Sequence, residues 1–162
     1  LRRARAFGMR LLGNDIVPIA PDFLVENGVT MTTLPDLMSR SDFISINCDL
    51  NPTSRGIINA ESLKWCKPGA VIINTARGPL IKEADLVEAL ESGQIAGAAL
   101  DVFEFEPLPA SSPLCKMDNV MLAPHNANSS PSAWERVHWN TIRNLIDGLG
   151  LDTNDLSHFE GI

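Results

Sequence analysis

Three short apolar runs between residues 71 and 125 constrain the fold most. They are Val71-Ile72-Ile73, residues 95–100 (IAGAAL) and Val120-Met121-Leu122-Ala123. Each is short, largely apolar and bounded by Gly, Pro or Asn, the pattern of a strand buried in a parallel sheet. A polar, chemically capable residue follows each run: Arg77 after the first, Asp101 and Glu106 after the second, His125 after the third. Parallel strands end on one edge of their sheet. These residues would then converge in the crevice where open α/β sheets bind ligands.

The rest of the chain continues the alternation of strand and helix. Residues 9–13 (MRLLG), 29–31 (VTM) and 43–47 (FISIN) read as strands. Thr33 caps a predicted helix over 34–40, with Pro35 and Asp36 in its first turn. Asn59 caps another, which Lys67-Pro68-Gly69 terminates. A third runs over 83–92, with Glu83 and Asp85 in its first turn and Gly93 past its end. Ser130 and Pro131 open a final amphipathic helix through Trp134, Val137, Thr141, Leu145 and Ile146, which Gly148 and Gly150 end. Residues 16–28 read as loop with a short helical turn, 101–119 as a long proline-rich loop, and 151–162 as an irregular tail. The small residues 96–99 suit a strand closely packed against a helix. The pattern predicts an α/β fold, a doubly wound parallel sheet of Rossmann-like type with helices on both faces.

The opening LRRARAFGM has neither an initiator Met nor a helix cap. It reads as the last turns of a helix, so the sequence is expected to be truncated at its N-terminus before the first helix ends. Asp15 follows the strand at 9–13. In a dinucleotide-binding unit, such an acidic residue binds ribose hydroxyls, and a glycine-rich GxGxxG loop stands about 20 residues earlier. That position precedes Leu1. The expected organisation is residues 1–148 as a NAD-binding domain lacking its first strand and glycine-rich loop, then a C-terminal tail at 149–162.

With 162 residues, 44% of them hydrophobic, the chain can bury a core. A net charge of -7 argues against a nucleic-acid partner, and no apolar run is long enough to span a membrane. The arginines at 2, 3 and 5 read as a solvated helix face. Three cysteines without a CxxC pair suggest neither a disulfide framework nor a metal site, and point to a reducing cytoplasm. Cys48 stands at a strand end and can line a pocket, while Cys66 and Cys115 read as buried small hydrophobes.

Arg77 offers a planar fork of donors suited to a carboxylate. His125 can give or take a proton near neutral pH. Glu106 can bond that imidazole and favour its protonated form. Singly, each has a plainer explanation: a surface ion pair, a histidine satisfied by a carbonyl, a solvated loop carboxylate with Glu104 beside it as a decoy. Together at three strand ends they suit reduction of a 2-keto acid, with arginine on the substrate carboxylate and histidine protonating the keto oxygen as nicotinamide supplies hydride.

The segments FISINCDLNPTSRGIINAESLKWCKPGAVIINTARGPLI, IAGAALDVFEFEP and NVMLAPH resemble the D-isomer-specific 2-hydroxyacid dehydrogenases, a family that includes phosphoglycerate, glycerate and D-lactate dehydrogenases. The resemblance covers roughly residues 1–148. It implies Arg77 as substrate-carboxylate ligand, His125 as acid/base and Glu106 as its partner. It implies that Asp15 binds the adenosine ribose and favours NAD over NADP. Asp101 would meet the nicotinamide carboxamide, and Cys48, Asp49, Ser54, Thr75 and Ala76 would line the cofactor. It also implies a cytoplasmic homodimer paired through this domain, acting on a small 2-hydroxy or 2-keto acid, with the helix from Pro131 crossing toward a substrate domain. Glu106 stands where the family's formate dehydrogenases have glutamine. Asn47 and Asp49 depart from the family's usual His and Pro, and Asn126-Ala127-Asn128 departs after His125, which leaves the substrate open. The alternative is a non-catalytic NAD-sensing interaction module, as in corepressors resembling this family. Without the glycine-rich loop, the fragment itself is expected to be inactive.

Overall fold

The computed structural model describes residues 1–150; the expected tail at 151–162 lies outside the described residues. The chain divides into two compact units, Leu1–His125 and a second beginning at Asn126. Every strand pairing in the first unit is parallel. Strand β1 (Leu11–Gly13) pairs with β2 (Val29–Met31). Strands β3 (Phe43–Ile46), β4 (Val71–Asn74), β5 (Gly97–Leu100) and β6 (Val120–Leu122) form a four-stranded sheet in that order. The fold is α/β and Rossmann-like, but its strands fall into two sheets where the sequence predicted one. In the doubly wound order 3-2-1-4-5-6, β2 and β1 take places three and two, and β3 takes place four.

Local chemistry sets the helices. They are α1 (Arg2–Ala6), α2 (Pro21–Asn27), α3 (Leu34–Arg40), α4 (Ala60–Lys64), α5 (Glu83–Glu91) and, in the second unit, α6 (Pro131–Leu149). Thr33 accepts the Asp36 N–H at the start of α3. Asn59 and Ser62 form a reciprocal capping box on α4, and Asp85 of α5 accepts the Ala60 N–H at 2.8 Å. That bond ties the two crossover helices together at their starts. The segment at 16–28 is more ordered than the predicted loop. Pro21 in its first turn and Gly28 in the left-handed region close a seven-residue helix there. In α6, Ser130 accepts from Ala133 N and Gly150 closes the helix, so Gly148 lies inside it and not at its end.

Apolar faces of α3, α4 and α5 build the core against the four-stranded sheet. Met38, Leu63, Leu86 and Leu90 meet Ile44, Ile46, Ile72 and Leu100. Burial alternates along β3: Ile44 and Ile46 are buried, while Phe43 is 57% exposed. One face of that strand is therefore packed and the other open. Gly97 answers a different contact from the predicted helix: a Cβ there would stand 2.7 Å from the Asn119 carbonyl, backbone leading into the neighbouring strand. The loop at 101–119 contains a 3-10 turn at Pro113–Lys116 that buries Leu114. On that turn Cys115 is exposed, against the expectation of burial, because Leu114 occupies the inward position; Cys66 is buried as expected. Among the described residues no helix is long and apolar enough to cross a membrane.

Candidate active site

Strand β4 ends in Asn74, whose side chain is fully buried. Its Oδ1 accepts the Ala76 N–H at 3.0 Å and its Nδ2 donates to the Arg77 carbonyl at 2.9 Å. One amide thus holds the 75–77 turn that presents Arg77. A buried amide left unsatisfied costs about 1–3 kcal/mol, so both bonds matter. Sequence reasoning assigned Asn74 no role, although an Asn closing a buried apolar strand was the available signal. Gly78, which follows Arg77, was missed in the same way. A Cβ on Gly78 would stand 1.7 Å from the Phe103 carbonyl oxygen. The turn after β4 therefore lies backbone on backbone against the loop after β5.

That loop carries Glu106. Its Oε1 accepts the Phe103 N–H at 3.0 Å, and its Oε2 lies 2.8 Å from His125 Nδ1. The Phe103 N–H, then the His125 contact, hold the Glu106 carboxyl below the usual glutamate range, and the charge of Arg77 adds to the effect. His125 follows β6 with φ 53°, the left-handed region that few non-glycine residues adopt. Such backbone costs roughly 1–3 kcal/mol and clusters at functional sites. The His125 side chain remains 48% exposed, so a small molecule can reach the ring. Arg77 is exposed too, with Nη1 donating to the Ala76 carbonyl at 2.6 Å.

Beside this group, at the ends of β3 and β4, lies a cleft of about 530 Å³. Asn47, Cys48, Asp49, Leu50, Thr75, Ala76 and Arg77 line it. Its size falls within the range of about 300–1,000 Å³ typical of ligand sites. Asp15 stands beyond the end of β1, where Val17 N donates to its Oδ1. Desolvation raises the pKa of the Cys48 thiol, and the charges of Asp49 and Asp15 raise it further. Ser54 does not line the cleft. It is buried, donates to the Asp49 carbonyl at 2.6 Å and accepts from Asn51 N, so it holds the loop that carries Asp49. Asp101 is buried at the end of β5, where its N–H donates to the Asn74 carbonyl. Glu104 turns away from His125 and accepts the Glu83 N–H at 2.9 Å. Among the described residues no group of three His, Cys, Asp or Glu could hold a metal ion.

The sequence pattern of the D-isomer-specific 2-hydroxyacid dehydrogenase NAD-binding domain matches residues 1–127. The chain belongs to this family. It is 42% identical over 145 residues to a glyoxylate reductase of Korarchaeum cryptofilum, covering 90% of this chain and 43% of the relative. The D-mandelate dehydrogenase of Rhodotorula graminis superposes with a TM-score of 0.83 at 31% identity, over 90% of this chain and 42% of that one. A family member from Xanthobacter autotrophicus, solved with NADPH and MES, is 43% identical with a TM-score of 0.67, over 73% of this chain and 37% of that one. The chain thus spans less than half the length of these relatives. NAD is the cofactor of the domain, and the donor set fits it. Asp15 carries a carboxylate beyond the end of β1, and the cleft lies beside Arg77.

Proposed function

We propose that the protein containing this chain is an NAD-dependent dehydrogenase interconverting D-2-hydroxy acids and 2-keto acids, with residues 1–148 as its NAD-binding domain. The observation that carries this is the 2.8 Å contact of His125 Nδ1 with Glu106 Oε2, on a carboxylate that also feels the charge of Arg77. A carboxylate held ionised on Nδ1 orients the ring and leaves Nε2 for a substrate oxygen. In reduction, Nε2–H gives its proton to the keto oxygen; in oxidation, neutral Nε2 takes the hydroxyl proton. Arg77 binds the substrate carboxylate through its fork of donors and leaves the Ala76 carbonyl to do so. Bound nicotinamide supplies or accepts the hydride.

In this reading Asp15 binds the adenosine ribose, and Cys48, Asp49, Thr75 and Ala76 line the cofactor. Asp101 meets the carboxamide, and Ser54 acts through the loop it holds. The reading includes a cytoplasmic homodimer formed through this domain; sedimentation of the full-length protein as a monomer would remove that part. The 162 residues contain no GxGxxG loop to cradle phosphates, so the chain alone binds NAD weakly and is inactive. Micromolar affinity by calorimetry would overturn that.

Oxidation of NADH by the full-length protein with a panel of small 2-keto acids tests the reaction class. Turnover with at least one is expected. A protein that binds NADH and turns over none would be the NAD-sensing interaction module instead.

A further inference from the structure

Glu104 lies outside the site described above, yet it is firmly anchored. Its Oε2 accepts the backbone N–H of Glu83, the first residue of α5. Lys82, preceding that helix, provides no side-chain cap. Glu104 therefore satisfies from a distant loop a donor that the helix leaves open. Glu83 accepts in turn from Ser112 Oγ at 2.9 Å. The loop after β5 is tied to the start of α5 at residues 104 and 112, and Glu106 lies between the two ties.

The consequence falls on the peptide joining Phe103 to Glu104. On one side it meets Gly78, where a Cβ would stand 1.7 Å from Phe103 O and 2.7 Å from Glu104 N. It cannot shift toward the Arg77 turn. The Glu104 side chain holds the same segment to α5, and the buried Phe103 ring fixes it in the core. The Phe103 N–H then meets Glu106 Oε1, while Oε2 meets His125. The position of one backbone segment sets the orientation of the carboxylate.

We propose that Glu104 is a positioning residue: by capping α5 it holds Phe103 where its N–H orients Glu106 against His125. The catalytic consequence rests on the dehydrogenase reading; the geometric one does not.

The test is an NMR titration of the Glu106 side-chain carboxyl in the 162-residue chain, for wild type, Glu104→Ala and Glu104→Gln. Glutamine keeps an oxygen able to accept the Glu83 N–H, whereas alanine keeps none. In E104A the titration is expected to move upward toward the usual glutamate value, and in E104Q to stay with the wild type. A folded E104A with a wild-type Glu106 titration overturns the proposal. So does an equal upward shift in E104Q, because glutamine keeps the acceptor and loss of the Glu104 charge alone would move Glu106 downward. If E104A does not fold, Glu104→Asp, which keeps the charge but shortens the reach, is held to the same outcomes as E104A. In the full-length protein, E104A should lower kcat roughly 10- to 100-fold, the scale of a small misplacement of a reacting group, with KM little changed. Unchanged kcat beside a shifted titration would overturn the catalytic part. A wild type inactive on every 2-keto acid would remove the dehydrogenase reading, while the titration would still decide the role of Glu104.

Discussion

Gly78→Ala tests whether backbone contact couples the Arg77 turn to the Glu106 loop. The added methyl carbon would sit 1.7 Å from Phe103 O, 2.0 Å from Phe103 C and 2.7 Å from Glu104 N. All three are backbone atoms, so no side-chain rotation relieves the clash. Reaching ordinary contact near 3.4 Å requires the two segments to part by roughly 1.7 Å. Forced overpacking of this kind costs about 1–3 kcal/mol. At roughly 2–4 °C per kcal/mol for a chain of this size, the melting temperature should fall by about 2–12 °C. The displaced loop carries Glu106, and a misplacement on the order of 1 Å can cost about 100-fold in rate. Circular dichroism melts of the chain and kcat/KM of the full-length protein measure the two effects. Gly148→Ala is the control, because nothing lies within 4 Å of a Cβ in that helical position. It should be neutral or stabilising by up to about 1 kcal/mol. A Gly78→Ala variant that melts with the wild type and keeps full activity would refute the coupling.

Three other outcomes are expected. Because the folded protein holds the pKa of Glu106 below its usual 4.5, its contribution to stability is present above that value and is lost as pH falls through the lowered one. Glu106→Gln should therefore lose less stability than wild type on acidification below about pH 4.5, as read by denaturant titrations at several pH values. Iodoacetamide should modify exposed Cys115 first and Cys48 more slowly, because desolvation raises the Cys48 thiol; Cys66, buried and pushed up to about 11, should resist. Saturating NADH on the full-length protein should protect Cys48 and not Cys115, read by peptide mass spectrometry. Asp15→Ala should raise KM for NAD and narrow the preference for NAD over NADP, read as the ratio of kcat/KM for the two cofactors.

The local elements were legible in the sequence because each rests on neighbouring residues. Thr33, Asn59 and Ser130 cap their helices from inside their own segments, and β4 needs only Val71–Asn74 to be apolar and bounded. Helix α2 was read short, since Pro21 and Gly28 looked like loop punctuation when they are its first turn and its left-handed end. The convergence of Glu106 and His125 was also readable, since parallel strands must end on one edge. What escaped depends on contacts between distant segments. Gly78 against Phe103, Glu104 on the start of α5, and Ser54 turned into its own loop follow from how separate loops meet. No local pattern encodes those meetings. The division of the sheet is of the same kind, because strand pairing is set by neighbours in space.

The central claim is that His125, oriented by Glu106, moves the proton while Arg77 holds the substrate. Steady-state kinetics of the full-length protein with NADH and its best 2-keto acid test this most directly, for wild type, His125→Ala and Arg77→Ala. The account predicts that His125→Ala lowers kcat about 100- to 10,000-fold, the usual span for loss of a general acid, and that Arg77→Ala chiefly raises KM. His125→Ala turning over at the wild-type rate would contradict it.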